Sequence, residues 1–575
     1  MKEPQVAAQP IGYFALVLHT HLPFVLGHGR WPHGSDWLME VTVGCYLPLL
    51  DIASALTASG ISPHMTIDVS PVLAEQLASS AFRSEFEDYV RARIQSAQEN
   101  RTEFEAAGRG DLADLARGWE RLYRDRLEQF ERLNGDLLGH LRHLADEGHL
   151  TLITCAATHG YLPLLSREES VDLQMRVAVA THQRHFGRPP GGIWLPECAY
   201  RPRYEWTPPV GPHKGRVHLR RRGIEEFLAQ FGIKFFITDM HLMRGGSPLS
   251  AYRDYYPALH AVPGPQPPPY RPDRSPYRPY LIASRGGGGT AAAFVRDPET
   301  TLQVWSRERG YPGDGWYLEF HKKHFPGGLR YWRVTEAKTD LGAKLPYEPS
   351  RAQERTRAHA QHFTDLLHRV LAAAPDGPQA IVCSPYDTEL FGHWWFEGPR
   401  WLQEVFARLP QAGIAPQDCV TALQAHPPQD TTTLLEGSWG EGGDHRVWLN
   451  HDTEWTWERV YGAEDEFWTL AKQPNMRATD PGRRLLSQLA RELLLLQASD
   501  WQFLITTWAA RDYAEARVAE HYATFIRLAQ ILRHVASGGT MPSGDEEFLA
   551  AREAQNFVFP DVLTHVVEAS RTTAA

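Results

Sequence analysis

The chain has 575 residues, a length that predicts about two to four domains at roughly 150 residues each. Hydrophobic residues make up 42% and charged residues 22%, which is usual for a globular protein with a substantial core. The formal net charge of −10 argues against non-specific nucleic-acid binding, because that function requires a basic surface.

The cysteines and the N-terminal residues indicate the compartment. The five cysteines are widely spaced and form no Cys-x-x-Cys pair, which fits a reducing compartment and argues against disulfides or structural zinc. The start, MKEPQVAAQPIG, lacks the basic and apolar regions of a signal peptide. The following YFALVL is far shorter than a membrane span. The sequence therefore predicts a cytoplasmic protein without membrane contact.

Short apolar runs alternate with helical segments along the chain, a pattern typical of a parallel sheet wrapped by helices. The predicted strands cover residues 13–18, 64–69, 150–155, 192–195, 233–238, 291–295 and 380–384. Seven parallel strands joined by helices indicate an α/β fold with a (β/α)7 barrel, one strand short of the common eight. We place this catalytic barrel in residues 1–428.

Three further segments interrupt or follow the predicted barrel. Residues 81–147 are highly charged, and their apolar residues recur at helical spacing, which predicts an inserted helical subdomain. Residues 263–280 are rich in proline and are predicted to be extended. The runs RRLLSQLARELLLLQ and ARVAEHYATFIRLAQILRHV predict a C-terminal helical domain over residues 429–575.

Polar side chains collect where the predicted strands end. In a β/α barrel the carboxyl ends of the strands share one face, and active sites lie there. The ends of all but the second strand contribute candidates: His19 and His21, His159, Glu197, His241, Arg296 and Asp387. Helix capping would explain one or two of these positions, but the combined pattern predicts a site.

Two of these residues indicate a reaction. Glu197 and Asp387 are distant in sequence but are predicted to face each other across the barrel mouth. Paired carboxylates suit glycoside chemistry, because one protonates the leaving oxygen and the other attacks or stabilises the oxocarbenium-like centre. The alternative for each is a structural role, as a helix cap or as the partner of an arginine.

The histidines of the first strand allow a different class of function. His19 and His21 are two residues apart on a strand and so point to the same face. Such a pair could hold a metal with His159, His241 or Asp387, as in a metal-dependent hydrolase. In a glucan site the same histidines would instead hydrogen-bond to sugar hydroxyls. The residues alone leave both possibilities open.

Several motifs occurring in order resemble one known family. They are HTHLPF, ATHGY, WLPECAY, RDPETTLQVW and SPYDTELFGHWWFEG, followed by GSWGEGGDHRVWL and LLLLQASDW. Together they resemble glycoside hydrolase family 57, and most closely its 1,4-α-glucan branching enzymes. The resemblance implies an incomplete seven-stranded (β/α) barrel, a helical insertion and a helical C-terminal domain.

The resemblance also implies roles for the two carboxylates. Glu197, in WLPECAY, would be the nucleophile, and Asp387, in SPYDTELFGHWW, the general acid/base. Attack by Glu197 would give a covalent glycosyl-enzyme, and a 6-hydroxyl of a second glucan would then take the chain to form an α-1,6 branch with retained configuration. No metal or other cofactor is implied.

The implied substrate-binding residues are mostly aromatic or imidazole side chains. They are His19, His21, Trp31, His159, Tyr252, Arg296, Trp305, Gly313, Trp394, Trp439, Trp448 and Asp500. Each tryptophan could instead belong to the core. Arg296 could anchor an ion pair, Gly313 could be a turn residue and Asp500 a helix cap. Alternate side chains of an extended segment point apart, and we expect Trp394 rather than Trp395 to face the cleft.

The segment GGSPLSAYRDYY resembles the mobile loop of the family, in which a tyrosine near the tip, here Tyr252, covers the site. The proline-rich residues 263–280 make this connection longer than the family pattern. The expected activity is therefore branching of amylose, amylopectin or glycogen, as in glycogen biosynthesis. An α-amylase or a 4-α-glucanotransferase on the same scaffold is the nearest alternative. A metal-dependent hydrolase using His19 and His21 is more remote, and a glucan-binding protein without catalysis is the most remote.

Overall fold

A computed structural model describes residues 9–211, 214–215, 219–250, 253, 255–284, 286–306, 309–336 and 338–571. The strands of this part of the chain are β1 (Gly12–Thr20), β2 (Met65–Val69), β3 (Leu150–Ile153), β4 (Gly192–Ile193), β5 (Tyr204–Trp206), β6 (Leu219–Arg221), β7 (Phe235–Thr238), β8 (Tyr280–Ala283), β9 (Thr290–Val295), β10 (Ile381–Asp387), β11 (Ile414–Pro416) and β12 (Thr431–Thr432). The first nine helices are α1 (Ser35–Val41), α2 (Leu47–Ala58), α3 (Pro71–Ala78), α4 (Ser80–Ala106), α5 (Gly110–Arg132), α6 (Leu137–Asp146), α7 (Glu168–Phe186), α8 (Ile224–Gln230) and α9 (Met240–Arg244). They are followed by α10 (Pro298–Trp305), α11 (Pro349–Ala373), α12 (Gly398–Arg408), α13 (Cys419–Ala425), α14 (Glu454–Ala471), α15 (Asp480–Leu496), α16 (Asp500–Thr507), α17 (Arg511–Ala536), α18 (Ser543–Gln555) and α19 (Val562–Ala569).

Seven parallel strands form the barrel, and they are the seven that the sequence predicts. Strand β1 pairs with β10 on one side and with β2 on the other, and β2 continues to β3. Strand β4 pairs with β7, and β7 with β9. Single bridges, Thr154 to Ile193 and Arg296 to Cys383, join the two groups of strands. The ring is thus incomplete in its ladders, and the predicted α/β barrel class is confirmed.

Strand β4 has two residues where four are predicted, because the chain after Ile193 leaves the ladder for the turn that carries Glu197. Strand β1 is buried at every position except Tyr13, as expected for a parallel strand covered on both faces. The remaining strands flank the ring: β8 is antiparallel to β9, β12 pairs with β8, β11 pairs with the start of β1, and β5 and β6 form a hairpin.

Four α-helices lie between β2 and β3, and the last three of them, α4, α5 and α6, occupy the region predicted to be a helical insertion. The long helices α4 and α5 pack together, with Phe86 against Phe130 at a ring-centroid distance of 4.3 Å. After β12 the described chain is helical, from α14 to α19, and the leucines of α15 are buried. The domain boundaries drawn from the sequence stay predictions.

One continuous helix, Ser35–Ala58, is long and apolar enough to cross a membrane by composition alone. In the fold 67% of its most apolar window is buried, so packing in the core accounts for its apolar character. Its middle, Thr42–Tyr46, is a π-helical turn between α1 and α2. Such turns are frequent at functional sites, and this one faces the residues that follow β10.

The contact between the π-helical turn and the chain after β10 requires glycine. Gly392 has φ +119°, and a Cβ placed on it would lie 1.7 Å from the carbonyl oxygen of Gly44. No side chain fits there without moving one of the two backbones. Because Asp387 lies five residues before Gly392, this contact also fixes the candidate acid.

We expect Gly392→Ala to destabilise the protein by about 2–4 kcal/mol, through backbone strain and overpacking. The control is Gly462→Ala, on the exposed side of α14, where an added Cβ meets nothing within 4 Å. Chemical denaturation measures both. A denaturation midpoint for Gly392→Ala equal to that of Gly462→Ala would contradict the role of this contact.

Candidate functional site

Strand register places several candidate residues at one level of the barrel. His19 on β1 pairs in register with Asp387 on β10 and with Asp68 on β2. A cavity of about 1860 Å³ opens beside these carboxyl ends of the strands. Its wall includes the candidates His19, His21, Trp31, His159, Glu197, Trp305, Gly313, Asp387, Trp394 and Asp500. The structure therefore brings together residues from nearly the whole length of the chain.

Glu197 lies in a turn with an unusual backbone. Its φ is +60° and that of the next residue, Cys198, is +48°, a left-handed region that residues other than glycine rarely occupy. His159, across the site, is also left-handed with φ +57°. Such strain persists only where surrounding contacts enforce it, and it concentrates at functional sites.

Trp439 supplies the contacts that hold the Glu197 turn. Its backbone N–H donates to the carbonyl oxygen of Glu197 at 3.0 Å, and its indole Nε1–H donates to Glu197 Oε2 at 2.7 Å. Two further backbone bonds join Tyr200 and Gly437, on either side of this contact. The glutamate is thus fixed in both backbone and side chain by the segment around Trp439.

Burial raises the pKa of Glu197 to about 8, and the nearby Asp387 and Asp500 carboxylates contribute to the rise. The Trp439 indole N–H opposes it, because a hydrogen bond to the carboxylate favours the ionised form. Neighbouring carboxyl groups that share a site ionise in steps, so the first proton leaves more easily than the second. Burial and the Asp387 charge therefore both favour the protonated form of Glu197.

Asp387 is the last residue of β10, and the two residues after it are hydrogen-bonded to the π-helical turn. The Cys45 thiol donates to the carbonyl oxygen of Thr388 at 3.0 Å, and the Tyr46 hydroxyl donates to Glu389 Oε1 at 2.7 Å. Both donors come from the π-helical turn. The backbone N–H of His21 also donates to Glu389, at 3.2 Å.

Glu389 is a site residue that the sequence analysis did not select. It is buried on the cavity wall, and burial raises its pKa to about 8, with the Asp387 charge adding to the rise. The sequence feature that could have identified Glu389 is its spacing, two residues after Asp387 and directly beyond a predicted strand. By accepting the backbone N–H of His21, Glu389 fixes the end of β1 next to the segment that follows Asp387.

The three predicted histidines form one hydrogen-bonded stack. His19 Nδ1 lies 2.5 Å from Asp68 Oδ2, and His19 Nε2 lies 3.0 Å from His159 Nε2. The rings of His21 and His159 stack with centroids 4.1 Å apart, and His21 Nε2 lies 3.1 Å from both oxygens of Asp500. Burial, together with the neighbouring imidazoles, lowers the pKa of both His19 and His159.

The spacing of these groups would also suit a cation. One atom each from His21, His159 and Asp500 lies within 4.8 Å of the others, and the same holds for His19, Cys155 and His159. The imidazole nitrogens already have partners, however, including Ser70 for His21 and Ser499 for His159. The network thus accounts for the histidines as a hydrogen-bonded cluster beside Glu197 and Asp387.

The aromatic candidates divide into two groups. Trp31, Trp305 and Trp394 lie on the cavity wall, and Trp31 and Trp394 are 67% and 42% exposed. Trp395 is only 1% exposed and packs in the core, so the neighbouring tryptophans point apart as expected for their spacing. Trp394 also contacts the Phe320 ring at a centroid distance of 4.5 Å.

Three predicted glucan contacts lie behind the wall instead. Trp448 is 1% exposed and stacks on Tyr161, so the prediction that it stacks on a sugar does not fit its position in the core. Trp439 is buried and contacts Glu197. Arg296 is buried beside Asp239, at 3.6 Å, and under the Trp439 ring, which matches its alternative role as an ion-pair anchor.

The predicted covering tyrosine, Tyr252, lies outside the described residues. From the same segment, Tyr255 and Tyr256 are on the cavity wall, and the Tyr256 ring packs on Phe503 of α16. Burial raises the pKa of Tyr256 to about 12, with a further contribution from Asp387. The proline-rich residues 263–280 run elsewhere, and Arg244 holds them through the Tyr270 hydroxyl and the carbonyl of Pro272.

Comparison with known proteins agrees with this geometry. A family model for glycosyl hydrolase family 57 matches residues 15–434. The chain belongs to glycoside hydrolase family 57. A second model, for the C-terminal domain of 1,4-alpha-glucan branching enzymes, matches residues 459–566, where the structure is helical.

Individual relatives cover nearly the whole chain. A 1,4-alpha-glucan branching enzyme of Thermococcus kodakarensis is 41% identical over 92% of this chain and 75% of its own length. The crystal structure of a family 57 branching enzyme from Pyrococcus horikoshii is 39% identical, with a TM-score of 0.85 over 97% of both chains. The α-amylase AmyC of Thermotoga maritima is 26% identical, with a TM-score of 0.78 over 98% of this chain and 100% of its own.

Replacing the donor to Glu197 tests the electrostatics of the site. In Trp439→Phe the ionised form of Glu197 loses its indole hydrogen bond, so its pKa rises and the acid limb of the pH–kcat/KM profile moves to higher pH. We expect kcat/KM to fall about 10- to 100-fold, the usual effect of a hydrogen bond to a charged group. Initial rates on amylose from pH 5 to 9 measure both effects.

Trp468→Phe is the matched control, because it removes an indole hydrogen bond of 2.9 Å from α14 to Ser170 Oγ on α7. It should leave the acid limb in place. An acid limb that is the same in Trp439→Phe and in the unmodified protein would show that Trp439 does not tune the reacting carboxylate.

Proposed function

We infer that the protein is a retaining 1,4-α-glucan branching enzyme that uses Glu197 as nucleophile and Asp387 as general acid/base. The observation that carries this proposal is a strained, doubly held glutamate on the wall of the same cavity as an aspartate at the end of β10, whose charge it experiences. Relatives named as branching enzymes match both the barrel and the C-terminal helices, which supports the choice of reaction.

The size of the cavity supports a polymeric substrate. A volume of about 1860 Å³ exceeds the roughly 300–1,000 Å³ of ordinary small-molecule sites. Exposed tryptophans on the wall, Trp31 and Trp394, offer apolar faces on which sugar rings stack. We propose α-1,4-glucan chains, such as amylose, amylopectin or glycogen, as both donor and acceptor.

The reaction proceeds in two displacements. Glu197 attacks the anomeric carbon of the donor while the bond to the leaving O4 breaks, and Asp387 transfers its proton to that oxygen. The 6-hydroxyl of an acceptor chain then attacks the glycosyl-enzyme, giving its proton to Asp387 and releasing Glu197 as a carboxylate. Two inversions give net retention, and the new bond is α-1,6.

The proposal requires that Glu197 be ionised for attack while Asp387 is protonated. The indole hydrogen bond from Trp439 favours the ionised form of Glu197 and so opposes the burial that raises its pKa. The histidine cluster and Asp500 would then contact sugar hydroxyls at the same face. No step in this sequence uses a metal.

The α-amylase of Thermotoga maritima supports one other candidate function, because its fold matches almost the whole chain. With the same carboxylates, water in place of the 6-hydroxyl would give hydrolysis. The segment that carries Tyr255 and Tyr256 borders the site and would influence which acceptor enters. The two activities differ in a single product measurement.

We propose a cytoplasmic location and a role in glycogen synthesis. The five cysteines are free and buried, as is usual in a reducing compartment. A cytoplasmic α-glucan with α-1,6 branches is the product that the proposed reaction would supply.

Incubation with amylose tests the function directly, with α-1,6 linkages counted by proton NMR and new reducing ends measured in parallel. We expect α-1,6 linkages to exceed reducing ends, and Glu197→Gln to lower the branching rate by at least about 10³-fold. Glu547→Gln, an exposed glutamate on α18, is the matched control and should be fully active.

Reducing ends without α-1,6 linkages would contradict branching and support the amylase alternative. Full activity of Glu197→Gln would contradict the assignment of the nucleophile, whichever product forms.

A further inference from the structure

Helix α16 connects the catalytic centre to the surface along one wall of the cavity. At its start Asp500 hydrogen-bonds to His21, and further on Phe503 and Leu504 lie on the wall. Ala509 and Ala510, just beyond the helix, also line the cavity. At 1.5 Å rise per residue, Trp508 lies roughly 12 Å along the helix axis from Asp500. Trp508 itself is not on the cavity wall, but it lies between the wall residues Leu504 and Ala509, at the outer margin of the cleft.

Trp508, the residue directly after α16, has a backbone conformation that tryptophan rarely adopts. Its φ is +61° and its ψ +15°, a left-handed conformation that is strained for a bulky residue and that glycine adopts freely. Its side chain is 64% exposed, so little apolar surface is buried in return. A residue that costs stability and gains little from packing is a candidate for function.

The ring of Trp508 is nevertheless held in place. The Arg511 guanidinium lies over it, 4.8 Å from the ring centroid. Arg511 is itself fixed by Glu515 Oε1 at 2.8 Å and by Asp452 Oδ2 at 3.4 Å. These carboxylates position the arginine, so one face of the Trp508 ring packs against a fixed guanidinium while the ring stays exposed. Such a platform fits the apolar C–H face of a sugar.

We propose that Trp508 is an outer glucan-binding subsite of this enzyme, on the C-terminal side of the cleft, which holds a chain segment remote from the reacting bond. The proposal rests on the proposed function, since its ligand is the same α-1,4-glucan. Its role is selective: long chains that extend past α16 reach Trp508, and short ones bound only at the catalytic centre do not.

The test compares Trp508→Gly with the unmodified enzyme on long amylose and on maltoheptaose. We expect the half-saturating concentration of amylose to rise about fivefold to tenfold, as for loss of one aromatic contact, with kcat within about twofold. The kinetics on maltoheptaose should not change, and Trp508→Phe should restore most of the amylose binding. Since glycine relieves the left-handed strain, the melting temperature should stay equal or rise.

The control is Tyr270→Ala, which removes an exposed aromatic ring from the proline-rich segment; no residue of that segment lines the cavity, whereas Trp508 lies between the wall residues Leu504 and Ala509. Retardation of each variant in amylose-containing native gels, in a Glu197→Gln background, measures binding without turnover. Unchanged retardation and unchanged half-saturation in Trp508→Gly would overturn the proposal. So would a lower melting temperature with equal losses on both substrates, which would indicate a structural role.

Failure of this proposal is distinct from failure of the proposed function. If the unmodified enzyme forms no α-1,6 linkages but Trp508→Gly still weakens retardation by amylose, the subsite stands and branching does not. If branching proceeds and Trp508→Gly matches the unmodified enzyme, the subsite is wrong and the function stands.

Discussion

The double contact between Trp439 and Glu197 is the constraint on which the site depends. A left-handed glutamate in a buried turn is costly, and the backbone and indole N–H groups of Trp439 keep it there. Trp439 lies far beyond Asp387, the last residue of β10. A segment from the C-terminal half of the chain therefore completes the turn after β4. The barrel alone would present the carboxylate without fixing its direction. The geometry of Glu197 therefore depends on a segment more than 200 residues away in sequence.

A second physical theme is the burial of several ionisable groups in one place. Raised pKa values at Glu197 and Glu389 and lowered values at His19 and His159 have the same first cause, the loss of water around each group. The groups remain together because each accepts or donates a hydrogen bond within the network. Asp500 differs, since burial alone would raise its pKa but His21 and His159 hold it below its ordinary value. The environment thus favours the neutral forms of Glu197, Glu389, His19 and His159 and the ionised form of Asp500.

Much of this architecture could be predicted from the sequence, for physical reasons. Buried parallel strands are written as short apolar runs, and polar residues directly after them identify the barrel mouth, so the seven strands and the cavity positions of Glu197 and Asp387 followed from local pattern. Contacts between residues distant in sequence could not be predicted from local pattern. Trp439, Trp448 and Arg296 were expected to contact glucan, but all three are buried in the structure. A sequence motif does not show whether the ring of its tryptophan faces a sugar or supports a neighbouring side chain. Glu389 and the left-handed Trp508 were missed because their importance comes from a π-helical turn and a backbone angle that no motif shows.

The central claim is that the glutamate held by Trp439 attacks the donor sugar. The most direct test is to trap the intermediate with a 5-fluoro-α-maltosyl fluoride and to locate the label by peptide mass spectrometry. Asp387→Ala would slow breakdown of the intermediate and increase its yield. The account predicts one glycosyl unit per chain, attached to Glu197. A label on Asp387 in the unmodified enzyme, or on Glu389 in either form, would contradict it.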